Sequence, residues 1–187
     1  MGERRTLVVQ VEDHPGVLNR VVSLMRRRSF NIDSITVGAS ETPGVSRMTI
    51  VVGGGGEAVE QVAKQLYKLM EVLKVTDITD QPCVSHEMAL IKVAAKAHQR
   101  AEIMQIVAIF DARIVDATPN SLLVEAVASP DKIDALLTML RGFGIRELVR
   151  SGVIAMVRGA VAEPKRNGTS TVPLDKTLQT RAVALAE

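Results

Sequence analysis

The chain has 187 residues, enough for one medium domain or two small ones, and 47% of them are apolar, which is sufficient to build cores. Aromatic residues make up 2% of the chain and Trp is absent, so stacking on nucleobases has little to work with. Lysine and arginine total 23 against 21 acidic residues, and this net charge of +2 gives little support for a nucleic-acid partner.

Cysteine content and apolar runs bear on the compartment. Cys83 is the single cysteine and cannot form an internal disulfide, and a lone thiol is typical of a reducing cytosol. The N-terminus runs directly into a strand pattern without the apolar core of a signal peptide, and no run approaches the length of a transmembrane helix. We therefore expect a cytoplasmic protein without a membrane partner.

The first predicted elements are a strand and a helix. Residues 6–11 are mostly β-branched or apolar and predict a strand, and apolar residues at helical spacing predict a helix over 17–28. Five residues form the predicted apolar stripe of this helix: Val17, Leu18, Val21, Val22 and Met25.

The loop between this strand and this helix has the sequence Glu12-Asp13-His14-Pro15-Gly16. Pro15 at a first-turn position loses only an N–H that the helix would leave without a partner, and Gly16 lets the backbone come close to another group. The amides that follow then point into open space, where a helix N-terminus attracts a carboxylate. We predict a binding loop for a small anion or zwitterion. An ordinary strand-to-helix turn, with Asp13 as the N-terminal cap, explains the same residues.

The next segments complete a first unit over residues 5–79. Strands at 31–38 and 47–52 flank a turn and form a hairpin, and Gly53 to Gly56 ends the second strand. A helix follows, and a strand at 73–78 closes a β-α-β-β-α-β order, in which two helices cover one face of a four-stranded antiparallel sheet. The apolar stripe of the second helix is predicted to consist of Val59, Val62, Ala63, Leu66 and Met70.

The same order of elements is predicted again after a junction at 80–82. A strand at 88–95 precedes a helix and a hairpin, and Ser129, Pro130 and Asp131 form the clearest helix start in the chain. Gly142 or Gly144 is expected to end that helix, with the last strand at 153–157. We thus predict an α+β protein of two tandem ferredoxin-like βαββαβ domains, at 4–80 and 84–159, followed by a flexible tail at 160–187 with a possible short helix.

Catalytic and metal-binding patterns are not found in the sequence. None of His14, His86 and His98 stands in a known catalytic or zinc-binding motif. Cys83 and His86 are close in sequence but supply two ligands where a metal site usually has four. Gly53 to Gly56 lacks the Gly-Lys-Ser/Thr ending of a phosphate-binding loop. We therefore predict no catalytic residue, metal or cofactor in this chain, and a sensor or regulatory subunit rather than an enzyme.

Several stretches carry a resemblance to a known family. Residues 11–20 resemble the ligand loop of ACT domains, small modules that bind amino acids. Together with four further stretches, this loop makes residues 4–159 of the chain similar to the regulatory small subunits of acetolactate synthase. The stretches are Phe30 to Val37, Ser46 to Ile50, Lys64 to Leu69, and Arg150 to Gly152.

The resemblance implies a noncatalytic homodimer, with an ACT domain and an ACT-like C-terminal domain in each copy, that acts in branched-chain amino acid biosynthesis. Its partner would be the catalytic large subunit of acetolactate synthase, a transferase that carries thiamine diphosphate, Mg²⁺ and FAD. The small subunit would activate that partner and confer feedback inhibition by L-valine or a related amino acid. No nucleic acid is expected as a partner.

Residue roles follow from the resemblance by position. Valine would lie at the interface where two ACT sheets join side by side, held by the amides of the loop, by side-chain oxygens of Asp13 and Asn31, and by apolar neighbours. Arg47, a long cation within a strand, is predicted to contact the catalytic subunit. The implied valine-binding set is Asp13, Gly16, Val17 and Leu18 from one chain and Asn31 and Ile32 from its partner.

Two alternatives from other classes stay open at this point. A free-standing amino-acid-sensing module that regulates another enzyme or transcription fits the same loop, but the chain lacks a helix-turn-helix pattern and a basic stripe. An enzyme on a ferredoxin-like fold is disfavoured because no acid-base set is found. Co-purification of a partner that carries thiamine diphosphate would distinguish the regulatory subunit from both.

Overall fold

The computed structural model describes residues 4–54 and 56–159, without the side chains of residues 56–58. The predicted tail and its short helix at 160–187 lie outside the described residues. The described residues divide into two compact units: residues 85–154 form the second, and residues 4–54, 56–84 and 155–159 form the first. Within the described ranges, no helix is long and apolar enough to span a membrane.

The first unit has the predicted β-α-β-β-α-β order, in a four-stranded antiparallel sheet with the spatial order β2-β3-β1-β4. The first strand is therefore central and the second strand forms one edge. The elements are β1 (Arg4–Glu12), α1 (Val17–Arg27), β2 (Ile32–Ala39), β3 (Val45–Gly53), α2 (Gly56–Leu66) and β4 (Val72–Asp77).

The core of this unit forms where alternate strand residues meet one face of each helix. Leu7, Val9 and Val11 of β1 are completely buried, as expected for a central strand with one face under helices. Cross-strand neighbours on β3 and the apolar side of α1 complete the cluster. These partners are Met48, Ile50, Val52, Val17, Val21, Leu24 and Met25.

Three residues predicted to lie on the buried helix faces of this unit are exposed instead. Leu18 and Val22 are 44% and 37% exposed, because Val21, Leu24 and Met25 take the centre of the buried face and leave these two on its flank. Met70 is 72% exposed, because α2 ends at Leu66 and helical spacing no longer applies four residues later.

The second unit repeats the architecture, in the order β6-β7-β5-β8 with an added strand beside β5, and the predicted fold class is confirmed. Short 3₁₀ turns at Ala97–Gln99 and Arg141–Phe143 adjoin its helices. The elements are β5 (Cys83–Ala94), α3 (Arg100–Ile109), β6 (Arg113–Thr118), β7 (Ser121–Ala128), α4 (Pro130–Leu140), β8 (Ile145–Arg150) and β9 (Ile154–Val157). β9 pairs with β5, but its residues from Ala155 on belong to the first unit.

The predicted start of α4 is confirmed, but the strand after it was predicted incompletely. Ser129 is the N-cap, and its Oγ accepts a hydrogen bond from the Lys132 amide at 3.4 Å. Neither predicted glycine ends α4, which stops at Leu140. The predicted strand at 153–157 corresponds to β9, whereas β8 completes the sheet beside β5. Its pattern was missed because β8 is a largely exposed edge strand with three charged residues.

The two units share irregular features as well as element order. Ser29 and Asp111 each follow the first helix of their unit with φ of 58° and 54°, and both close a Schellman-type cap. The first hairpin of each unit shifts register, at Asp33 and at Val115. The same number of residues separates the members of each corresponding pair, including buried positions of the central strands and first helices. These buried pairs are Leu7 with Ala89, Val9 with Ile91, Val11 with Val93, Val21 with Ile103, Leu24 with Ile106 and Met25 with Val107.

The left-handed residue at the end of α1 gives a stability prediction. Ser29→Gly is expected to stabilise the chain by about 0.5–1 kcal/mol, because glycine adopts positive φ without the steric penalty that a Cβ adds. The free energy of unfolding in urea, followed by circular dichroism, measures the gain. Ser23→Gly within the same helix is the control and is expected to destabilise by about 0.5 kcal/mol. Equal losses in the two variants would contradict the prediction.

Candidate functional site

The loop between β1 and α1 is organised around Gly16. Gly16 is the N-cap of α1 and has φ of +95°, so it adopts the left-handed conformation that favours glycine. The helix therefore begins at Val17, and the predictions of Pro15 as a first-turn residue and of Asp13 as the cap are wrong. A Cβ built on Gly16 would meet nothing within 4 Å, so the space in front of this residue is open.

The first turn of α1 presents amides that have no protein acceptor. The Val17 amide donates to the His14 carbonyl at 3.5 Å and the Arg20 amide donates to the Gly16 carbonyl at 3.0 Å. Among the described residues, no carbonyl or side chain accepts from the amides of Leu18 and Asn19. A helix N-terminus with two open donors attracts an anion, with a typical stabilisation of about 0.3–1 kcal/mol from the helix dipole alone.

Charged side chains of both signs surround these amides. His14 Nε2 lies 3.3 Å from a carboxylate oxygen of Glu12, and Arg20 pairs with the buried carboxylate of Glu71. Asp13 is exposed, and its amide donates to the Gly44 carbonyl at 2.8 Å, which ties the loop to the β2–β3 turn. Open amides beside carboxylates suit a zwitterion better than a simple anion, because an ammonium group finds acceptors where a carboxylate finds donors.

The predicted binding residues lie in two places in one chain. Asn31 and Ile32 lie at the start of β2, where Ile32 pairs with Val52, whereas Glu12 at the other end of the sheet pairs with Val45. The distance along β3 between these ends is about 20 Å at the usual rise of a strand. The structure therefore does not bring Asn31 and Ile32 to the loop of their own chain.

The local surroundings restrict what the predicted residues can do. Val17 is 3% exposed as a whole residue and so offers a ligand almost no surface, whereas Leu18 is 44% exposed. The side-chain Nδ2 of Asn31 donates to Asp33 Oδ1 at 2.6 Å.

The corresponding loop of the second unit has a different conformation. The Lys96 amide donates to Gln99 Oε1 at 3.3 Å, and a 3₁₀ turn precedes α3. Arg100 Nη1 donates to the carbonyls of Thr118 and Pro119 at 2.7 and 3.2 Å. Lys96, the residue before this turn, has φ of −68°, so this helix start lacks the left-handed glycine of the first unit.

The Arg150-Ser151-Gly152 stretch has a structural role in the second unit. The Arg150 guanidinium pairs with the buried carboxylate of Glu87 and with Asp134 at 2.6 Å. Burial works against the charge of Arg150, but its hydrogen bonds to Glu87 and Asp134 outweigh that effect, and the pKa of Arg150 is raised above its usual value. Ser151 Oγ accepts from the Met88 amide at 3.0 Å, so the stretch fixes the end of β8 against β5.

Arg47 was predicted to contact the catalytic partner, whereas no metal site was predicted at Cys83 and His86. Arg47 Nη2 donates to the Ala155 carbonyl at 3.0 Å within the first unit, and its side chain is half-buried. Over the described ranges, no group of three or more His, Cys, Asp or Glu residues is placed to hold a metal ion.

Comparison with protein families gives two matches that together cover both units. Residues 7–74 match the model described as the AHAS small subunit-like ACT domain, and residues 86–159 match the model described as the small subunit of acetolactate synthase.

Individual proteins agree with these family matches. The chain is 49% identical over 156 residues to a protein of Archaeoglobus fulgidus named probable acetolactate synthase small subunit, covering 83% of this chain and 98% of that protein. It is 44% identical over 170 residues to the acetolactate synthase small subunit of Bacillus subtilis, covering 90% and 99%. The crystal structure of the acetolactate synthase small subunit from Thermotoga maritima matches with a TM-score of 0.78 and 40% identity, covering 85% and 99%.

Proposed function

Because the chain belongs to the family of acetolactate synthase small subunits, as a regulatory rather than a catalytic subunit, we propose that it reports valine to its catalytic partner. Bound valine would inhibit that partner, and the subunit without valine would activate it. The observation that carries the proposal is the pair of open amides at Leu18 and Asn19, behind the left-handed Gly16.

The chemistry of the loop matches a free amino acid. The valine carboxylate accepts hydrogen bonds from the amides of Leu18 and Asn19, where the helix dipole adds to the attraction. The ammonium group contacts the exposed carboxylate of Asp13. The isopropyl group contacts the accessible side chain of Leu18, where burial of apolar surface contributes about 25 cal/mol per Å².

The position of β2 supports a site completed by a second copy. β2 is an edge strand, and its end at Ala39 pairs with Ser46, on the same end of the sheet as the loop. Two copies that pair antiparallel along β2 place the start of one β2 beside the end of the other. The partner's Asn31 and the partner's Ile32 then come toward the loop that their own chain keeps about 20 Å away.

Four measurements test this function together. The chain should co-purify with a catalytic subunit that holds thiamine diphosphate, Mg²⁺ and FAD, and it should raise that subunit's activity on reconstitution. Valine should inhibit the reconstituted complex and leave the isolated catalytic subunit unaffected, and calorimetry should detect valine binding to this chain. A dissociation constant of 1 mM corresponds to only about 4 kcal/mol, within reach of one charged contact and a buried isopropyl group. A complex that valine does not inhibit would contradict the proposal.

Arg47 gives a separate test of the partner contact. Arg47→Ala is expected to weaken activation of the catalytic subunit about 10-fold in the concentration required, because a strand cation on the sheet is suited to a carboxylate of the partner. A titration of the catalytic subunit with the variant measures this shift. The hydrogen bond from Arg47 to Ala155 gives the arginine an internal role, so the melting temperature is recorded alongside. Unchanged activation would remove Arg47 from the interface.

A further inference from the structure

We propose that Glu71 positions the loop between β1 and α1 (Glu12 to Gly16), the proposed valine-binding loop, and that it acts through Arg20. This inference rests on the proposed function. Their pairing was not predicted from the sequence, because the two residues are separated by 51 positions and no motif joins them. The proposal concerns how the loop is held, and it assigns no direct ligand contact to Glu71.

Glu71 holds the loop from both ends. Its carbonyl accepts a hydrogen bond at 2.9 Å from the amide of Glu12, the last residue of β1. Its carboxylate accepts a charge-assisted hydrogen bond from Arg20 Nη1, in the first turn of α1. One residue therefore fixes the strand before the loop and the helix after it.

The burial of the pair is uneven, and this identifies the anchor. The Glu71 side chain is 10% exposed and the Arg20 side chain is 59% exposed. A buried carboxylate needs a partner, since leaving it unpaired costs far more than a solvated cation does. Glu71 is therefore the fixed point, and Arg20 is drawn toward it.

The ion pair at Arg20 restrains the Leu18 and Asn19 amides through the backbone of the first helical turn. The Arg20 amide donates to the Gly16 carbonyl at 3.0 Å, which closes the turn that contains Leu18 and Asn19. Gly16 has no Cβ to restrict its conformation, so contacts from outside the loop must hold it. Glu71 supplies that restraint on both flanks.

The anchor is itself held by an irregular strand. Val72, the next residue, pairs with Val11, but Lys74 pairs with Gln10, so Leu73 bulges out of β4. Tyr67 Oη donates to the Val75 carbonyl at 3.1 Å and accepts from the Val75 amide at 3.0 Å, which fixes the strand just after the bulge. Glu71 thus has a defined position relative to β1.

The test compares Glu71→Gln, Arg20→Met and the double variant, each as the full chain reconstituted with the catalytic subunit. Positioning predicts that both single variants raise the valine concentration for half-inhibition in the same direction, about 10-fold each, and that the double variant resembles either one. Direct electrostatics predicts opposite directions, because one variant removes a negative charge near the bound carboxylate and the other removes a positive charge. Opposite or additive shifts would overturn the proposal.

The control is Glu147→Gln, which removes the acid of the exposed Lys92–Glu147 pair in the second unit and should leave the valine response unchanged. Retained activation by the single variants shows that they are folded. A loss of activation in parallel with inhibition overturns the positioning role in favour of a general loss of structure.

Amide hydrogen exchange without valine separates this inference from the proposed function. Faster exchange of the Arg20 amide in Glu71→Gln, with amides of the second unit unchanged, supports positioning even if valine does not inhibit the wild-type complex. Unchanged exchange of the Arg20 amide overturns the positioning role, whether or not valine inhibits the complex.

Discussion

A Gly16→Asp chain is expected to activate the catalytic subunit normally and to need about 10- to 100-fold more valine for half-inhibition. The introduced side chain would extend into the open space in front of the Leu18 and Asn19 amides. If the residue keeps its positive φ, its carboxylate repels that of valine. If the backbone relaxes to negative φ, the carboxylate caps the helix and occupies the amides itself. Either conformation removes the proposed valine carboxylate site.

The strain of a Cβ at positive φ needs its own control. Gly144 in the second unit has φ of +93°, and a Cβ there meets only the Ala94 side chain, at an ordinary 3.8 Å. Because Gly144 has ψ of 101°, outside the left-handed helical region, Gly144→Asp should cost at least as much stability, about 1–3 kcal/mol, without a change in valine response. Valine inhibition that survives Gly16→Asp, or that is lost in both variants, would place the effector elsewhere.

Arg150→Met is expected to cause the largest loss of stability among these substitutions, about 3 kcal/mol in the free energy of unfolding. Glu87 is 5% exposed, and the variant would leave its carboxylate buried without a cation. Urea unfolding of the full chain, followed by far-ultraviolet circular dichroism, measures the loss. Adding Glu87→Gln to Arg150→Met should recover more than half of it, because the uncompensated charge is removed with the cation already absent.

An exposed ion pair on the same sheet serves as the comparison. Lys92 Nζ lies 2.7 Å from Glu147, and the hydrogen bond from Lys92 lowers the pKa of the Glu147 carboxyl below its usual value. The stabilisation from a lowered carboxyl pKa is present at neutral pH and is lost as the pH falls through the acidic range. Because solvent screens this pair, Lys92→Met should change the stability little. If Lys92→Met lost as much stability as Arg150→Met, burial would not determine how much each ion pair contributes to stability.

Regular elements with one buried face were predictable from sequence. β1 and β3 are alternately or continuously apolar, and α4 has a clear N-cap at Ser129. The β-α-β-β-α-β order of elements in each unit was therefore predicted correctly. β8 was not predicted, because this edge strand is largely exposed and its charged residues interrupt the alternation of apolar and polar positions that identifies a strand.

The loop was located correctly in sequence, but its geometry was not predicted. Pro15 before Gly16 is compatible with several helix starts, and only the backbone shows that Gly16 adopts the left-handed conformation and that Val17 opens the helix. The same limit applies to the restraint by Glu71, since a contact across 51 positions depends on how β4 returns beside β1. Asn31 and Ile32 were assigned from family resemblance, and their role as a partner's contribution stays a prediction.

The matched irregularities of the two units have a practical consequence. Equivalent positions in the two units are separated by a constant number of residues, as the pairs Val11–Val93, Ser29–Asp111 and Asp33–Val115 show. Residues 12–20 can be grafted in place of residues 94–102 without insertion or deletion. Such a chimera would test whether the loop sequence alone is sufficient to create the open helix start in a second βαββαβ framework.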